Sequence, residues 1–383
     1  MSERINISAP SINKELAYDY IQQAIESGQI AQGPGVAQAE KDVSEALGAR
    51  YTALYANGTA SLRGALISSV ANTLGSDEYV DRYIEGKEVV IPAFSFNATL
   101  NTVLDSGAVA RVVDVREDDF GIDPEHVANV TNNKTIAIMP VDLYGQAASV
   151  YRDDHRFDDL AIVRDAAQAH GAQIDDKPLV EHADAVSLSF YPTKNIAAPE
   201  GGAIVTNNAG IDKTARIYRN QGMSAPYVYE MLGDNLRMTD IHAAVLRANI
   251  GTLAFVTQRR NENAALLTEG LEDTEGLVLP RIQERRNHVW HQYTVRVQAG
   301  EFGMNRDDLR DALNVRGIGS GVYYPKTMTD HPVFTDHPRI RLEATPIANK
   351  IAKEVLSLPV HPGVNQDDVY RIVETIKDIK RSA

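Results

Sequence analysis

Short apolar runs rich in β-branched residues recur along the first half of the chain. Longer stretches, in which apolar residues return every three or four positions, lie between them. The runs are TALYA (52–56), EVVIPA (88–93), VARVVDV (109–115), TIAIMPV (135–141), LAIVR (160–164), AVSLSF (185–190) and GAIVT (202–206). Several have no polar face, as expected of strands covered on both sides. Alternation with helical patterns predicts a doubly wound α/β sheet, mostly parallel, that binds ligands beyond the carboxyl ends of its strands.

Two helices are predicted ahead of the sheet. The first spans 11–28, with Ser11 at its start and Gly28 at its stop. The second spans roughly 36–47, after a turn at Gly33-Pro34-Gly35. The pattern changes near residue 250. A long helix, 239–271, leads into strand-like HQYTVRV (291–297) and GIGSGVYY (317–324), with helices near 305–315 and 366–380. The expected organisation is a large α/β domain over 1–250 and a smaller α+β domain over 251–383. The polar stretch 71–87 is expected to be an exposed helical extension or loop.

Composition narrows the function classes. A net charge of -14 argues against sequence-blind nucleic-acid binding, which needs a basic face. With no cysteine, disulfides, thiolate metal sites and cysteine nucleophiles are excluded. No apolar stretch approaches the roughly 20 residues of a membrane span, and MSERINISAP has no signal-like run, so a cytoplasmic protein without membrane partners is expected.

Three predicted strand ends carry chemistry. In ANGTASL (56–62), Asn57-Gly58 turns the chain and Thr59 can open a helix, whose free N–H groups form an anion site. Taken alone, Asn-Gly is more often only a turn. In VRDAAQAHGA (163–172), Asp165 follows a strand directly, and taken alone a helix cap is the better reading. In SLSFYPTKNIAAPEGG (187–202), Lys194 follows a strand within a run of small residues, two prolines and Gly-Gly. A lysine stripped of water there has a lowered pKa and becomes a usable nucleophile, although a surface loop is the commonest fate of any lysine. Together they match what pyridoxal phosphate needs: a phosphate cradle, a carboxylate on the ring nitrogen and a lysine for the Schiff base.

The motifs NGTASL, PAFSFNAT (92–99), DLYGQ (142–146), DAAQAHGA, SFYPTKN (189–195), EGGAIVT (200–206) and GDNLRM (233–238) stand in the order of a known family. The chain resembles the DegT/DnrJ/EryC1/StrS sugar aminotransferases, of the fold-type I aspartate aminotransferase superfamily. The resemblance implies that Lys194 holds pyridoxal 5'-phosphate and shuttles the proton, that Asp165 faces the ring nitrogen, and that Gln168 touches the 3′-oxygen. It implies that Phe96 stacks on the ring and that Gly58, Thr59 and Ser189 hold the phosphate. Asn235 would reach the phosphate of a neighbouring subunit, across a homodimer interface.

The implied reaction moves an amino group from an amino acid, commonly L-glutamate, through pyridoxamine phosphate to a keto group on a nucleotide-linked deoxysugar. Lysine at 194 separates this chain from the family's dehydratases, which carry histidine there. Departures are Arg164 for a usual Glu, Leu143 for His, His242 for Gln, Pro199 for Gly, and Lys326–Thr329 in a substrate-facing loop. Two alternatives stay open, a keto-cyclitol aminotransferase and a catalytically silent regulatory homologue. His288 and His291 form an H-x-x-H, but no ligand spacing accompanies it, so no metal site is expected.

Overall fold

The computed structural model describes residues 4–75 and 84–383. Seven strands form in the predicted places: β1 (Tyr51–Tyr55), β2 (Glu88–Pro92), β3 (Val109–Val113), β4 (Thr135–Ile138), β5 (Ala161–Asp165), β6 (Ala185–Ser189) and β7 (Gly202–Thr206). They lie in one sheet, ordered β1-β7-β6-β5-β4-β2-β3. Every neighbouring pair from β6 to β3 is parallel, while β7 runs antiparallel to both β6 and β1. Two antiparallel steps turn β1 back to the direction of β6. The carboxyl ends of β1, β2, β5 and β6 therefore open on one edge of the sheet.

Helices cover both faces, which is why β2, β4, β5 and β7 are buried at every position. On the N-terminal side α1 (Lys14–Ser27) and α2 (Pro34–Leu47) both end at left-handed glycines, Gly28 and Gly48. α3 (Gly58–Leu74) leaves β1 directly and is buried along most of its length. Of the polar stretch 71–87, residues 71–74 close α3 and 84–86 form a turn; 76–83 lie outside the described residues.

The helix read as 239–271 is two helices, α4 (Asp240–Ile250) and α5 (Leu253–Leu271), broken at Gly251-Thr252. β8 (Leu277–Val278), β9 (Tyr293–Val297) and β11 (Val355–Leu358) form a second, antiparallel sheet. With α5 and α6 (Gln366–Ser382) they enclose an apolar core of their own, which includes Leu267, Tyr293, Phe302, Leu358 and Ile376. This second core is the physical basis for the proposed division near residue 250. β10 (Ile340–Leu342) crosses it, pairing in parallel with β3 as the eighth strand of the large sheet.

The expected strand over 317–324 does not form. Gly321 only bridges Ser357, and Ile318 bridges Ile5. The segment beginning at Arg4 is thereby clasped to the second core: Ile5 is buried, and the Asn6 carbonyl lies 3.0 Å from His361 Nε2. Ile7 and Ser8 then run past the mouth of the cleft described next.

Candidate active site

The edge where β1, β2, β5 and β6 end opens into a cleft of about 870 Å³. It collects Gly58, Thr59, Phe96, Asp165, Gln168, Ser189 and Lys194 in one place. Sheet register explains part of this: Gly202 of β7 stands opposite both Tyr55 and Ser189, and Asp165 stands opposite Ser187.

The anion cradle is built from the α3 start. Asn57 caps the helix, its side-chain oxygen accepting from Ala60 N–H at 2.9 Å. The N–H groups of Gly58 and Thr59, at the first helical positions, have no intrahelical acceptor and face the positive end of the helix dipole. A Cβ on Gly58 would sit 2.6 Å from Ser189 Cβ, so the hydroxyl of Ser189 can stand against the helix start only because residue 58 is glycine.

Asp165 is buried at the end of β5. Its carboxylate accepts from Thr99 Oγ1 at 2.9 Å and from Ala167 N–H at 3.3 Å. Burial raises its pKa; these two donors and the charge of Lys194 oppose the rise. The cap reading and the catalytic reading are thus both visible here, since one oxygen holds Ala167 while the other lies with Thr99. A further cation on the cavity side would complete its charge balance.

Lys194 follows β6 through a tight turn, with its own N–H on the Tyr191 carbonyl. The turn is fixed from behind. Asn195 Nδ2 donates to the Val289 carbonyl at 2.8 Å, Ile196 N–H donates to His170 Nδ1 at 3.1 Å, and Asn249 Nδ2 donates to the Ala197 carbonyl at 2.7 Å. Burial lowers the amine to about 8, against the opposing pull of the Asp165 carboxylate.

Gln168 is oriented at both ends: Tyr144 N–H donates to its Oε1 at 2.8 Å, and its Nε2 donates to Tyr324 Oη at 3.2 Å. Phe96 leaves 60% of its surface open, against Tyr324 at 5.9 Å between ring centroids, whereas Phe94 of the same motif is wholly buried. That exposure departs from simple core packing. Asn235 does not line the cleft of its own chain; it lies exposed, in a bridge with Asn220.

Several groups at the site were not singled out from the sequence. Thr99 and Tyr324 were inside quoted motifs, where a hydroxyl has no signal beyond its type. His170 sits in DAAQAHGA and is held neutral by burial, its pKa lowered to about 3. Arg260 lines the cleft from α5, and His291, read from the sequence only as half of an H-x-x-H, lines it beside β9. The other half of the H-x-x-H, His288, instead stacks on Trp290 at 3.8 Å. Among the described residues no group of histidine and carboxylate ligands gathers around a point.

Arg164, placed where the resemblance leads one to expect Glu, is fully buried against Asp142, with Nη2 to Oδ1 at 2.6 Å. Its remaining donors reach the carbonyls of Ala148 and Val150.

A family model, described as the DegT/DnrJ/EryC1/StrS aminotransferase family, matches residues 11–377. The pleiotropic regulatory protein of Geobacillus stearothermophilus is 36% identical over 301 residues, 77% of this chain and 79% of its own. The dTDP-3-amino-3,4,6-trideoxy-alpha-D-glucose transaminase of Streptomyces venezuelae is 32% identical over 299 residues, 76% of each chain. The X-ray structure of S. venezuelae DesV in complex with a ketimine intermediate is similar at a TM-score of 0.88 and 28% identity, covering 99% of both chains.

Proposed function

The chain belongs to the DegT/DnrJ/EryC1/StrS aminotransferase family, and from that premise we propose that its cleft holds pyridoxal 5'-phosphate and passes an amino group from L-glutamate to a keto group on a nucleotide-linked sugar. The observation that carries this reading is the convergence of the α3 start, Asp165 and Lys194 on one sheet edge. The residues fit the cofactor: a cradle that a single Cβ would fill, a buried carboxylate short of a cation, and a softened amine. A relative named as a transaminase of a dTDP-linked sugar supports the acceptor class.

When bound, the cofactor supplies an aldehyde for the donor's amine and a protonated ring that withdraws electrons from the carbon losing its proton. The protein's own residues do the rest. The Gly58 and Thr59 N–H groups with Ser189 Oγ would hold the phosphate, and Asp165 would face the ring nitrogen and favour its protonated form. Gln168, oriented by the Tyr144 N–H on its Oε1, would face the ring oxygen. Phe96 would pack against the ring. Lys194 Nζ would hold the aldehyde and, once displaced, move the proton of the donor carbon; its lowered pKa would let it accept and release that proton near neutrality.

Asn235, absent from its own cleft, is free to serve a second copy, and this supports a homodimer with shared sites. No helix among the described residues is long and apolar enough to cross a membrane, in keeping with a cytoplasmic enzyme.

The name of the Geobacillus relative favours one second reading, a homologue that regulates without turnover. A visible absorbance spectrum, repeated after adding L-glutamate, separates the two. A yellow band that bleaches establishes the donor half of the reaction, and a yellow protein that glutamate cannot bleach points to another amino donor or to the silent homologue. A protein that stays colourless with added pyridoxal phosphate overturns both.

A further inference from the structure

Arg260 is a buried guanidinium for which the protein provides no anion. It projects from α5 into the wall of the cleft, 4% exposed, and forms no ion pair with the described residues. Only Nη1 is engaged, donating to the carbonyls of Trp290 and His291 at 2.9 Å each. Nε is sealed without an acceptor, and Nη2 makes no hydrogen bond to the described residues. Nη2 is not sealed, and its N–H groups can make a charge-assisted bond to a carboxylate oxygen.

The surroundings sharpen the imbalance. Across the cleft the Asp165 carboxylate acts on the Lys194 charge without forming an ion pair with it. Glu200, the other carboxylate of the lining, is exposed. His291 Nδ1, also sealed without a partner, is close enough to feel the charges of both Lys194 and Arg260. The phosphate cradle at Gly58 is a separate construction at the carboxyl ends of the strands, whereas Arg260 and His291 come from beyond residue 250. A buried cation left uncompensated costs several kcal/mol. A ligand that brings its own carboxylate recovers that cost on binding, and amino donors always carry one.

We propose that Nη2 of Arg260 is the carboxylate subsite for the amino donor. The proposal rests on the aminotransferase reading and assigns to it the group that recognises the donor. Nη1 fixes the guanidinium against the Trp290–His291 backbone, so Nη2 is presented in one orientation and little side-chain entropy is lost on binding.

The test uses the pyridoxal-phosphate-loaded protein and compares wild type with Arg260→Met and Arg260→Lys. Glutarate, a dicarboxylate with no amine, is titrated by calorimetry. The donor half-reaction is followed separately, by bleaching of the yellow band with L-glutamate and with L-alanine. Arg260→Met is expected to weaken glutarate binding about 100-fold and to lower kcat/KM for the donor by a similar factor, with the unliganded spectrum unchanged. Arg260→Lys keeps the charge and loses the planar guanidinium that Nη1 orients, and should fall between. If Met at 260 prevents folding, the lysine variant decides alone, through at least about tenfold weaker glutarate binding.

Equal losses with alanine and glutamate identify the α-carboxylate as the group bound; a loss with glutamate alone identifies the distal carboxylate. Unchanged glutarate binding and unchanged donor kinetics in a folded variant overturn the proposal. A wild-type protein that never turns yellow would instead overturn the cofactor reading, so the two failures are distinguishable.

Discussion

At the scale of single residues, burial sets the chemistry. The Lys194 amine at about 8 is close to one part in ten unprotonated at pH 7, against about three in ten thousand for an ordinary lysine. Capture of added pyridoxal phosphate by the cofactor-free protein should therefore accelerate as pH rises through about 8 and level off above it. Stopped-flow absorbance checks this, and a midpoint near 10.5 would mean that the amine does not feel its surroundings. Lys194→Ala should abolish multiple turnover and leave the cofactor exchangeable by dialysis. Asp165→Ala should lose at least about 100-fold in rate while a yellow adduct still forms, because the lysine is untouched. These residues were legible in the sequence because each follows a strand by a few positions. Arg260 was not. One of two adjacent arginines on a long helix, it looks like any surface cation until packing removes its solvent and supplies no anion.

At the scale of elements, two junctions hold the site in shape. The loop after β4 is tied to β5 by the Arg164–Asp142 pair and by backbone bonds from Asp142 to Asp165 and from Asp165 to Pro140. Both side chains of the pair are wholly buried, so Asp142→Ala should cost about 3–5 kcal/mol in urea melts, and pairing it with Arg164→Met should recover much of the loss. The swap of a usual Glu for Arg at 164 is thus accommodated by a carboxylate from the next loop. At the other junction, Gly58→Ala should leave the fold intact and weaken cofactor binding at least tenfold by equilibrium dialysis, since the new methyl would press on Ser189. Element boundaries in the large sheet were readable from alternation alone. The second half was harder. Gly251-Thr252 breaks a helix whose apolar spacing continues across the break, Ile340–Leu342 is too short and polar to announce a strand, and Val355–Leu358 follows a helix without a turn signal. GIGSGVYY has strand-like residues, but its backbone finds only isolated bridges.

At the scale of the molecule, the proposed homodimer would bring Asn235 of one copy to the site of the other. Tyr227, Val228, Tyr229 and Leu232 all stand exposed just ahead of Asn235, an apolar surface suited to burial against a second copy. Hybrid dimers from co-expressed Lys194→Ala and Asn235→Ala subunits should recover activity that neither homodimer shows, because one of their two sites contains both native residues. Hybrids no more active than the parent homodimers would place Asn235 outside the partner's site.

The clasp between Ile5 and Ile318 bears on how the enzyme is made. During synthesis Ile5 leaves the ribosome about three hundred residues ahead of its partner, a wait of about 15–60 s at ordinary elongation rates. Throughout that interval an isoleucine destined for burial stays unpaired, and the wall that Ile7 and Ser8 add to the cleft is missing. The large sheet can assemble early, but the mouth of the cleft closes only after the second core has emerged to receive the earliest segment. A ribosome-stalled chain ending before residue 318 should therefore carry the first seven strands of the sheet and an unfinished entrance.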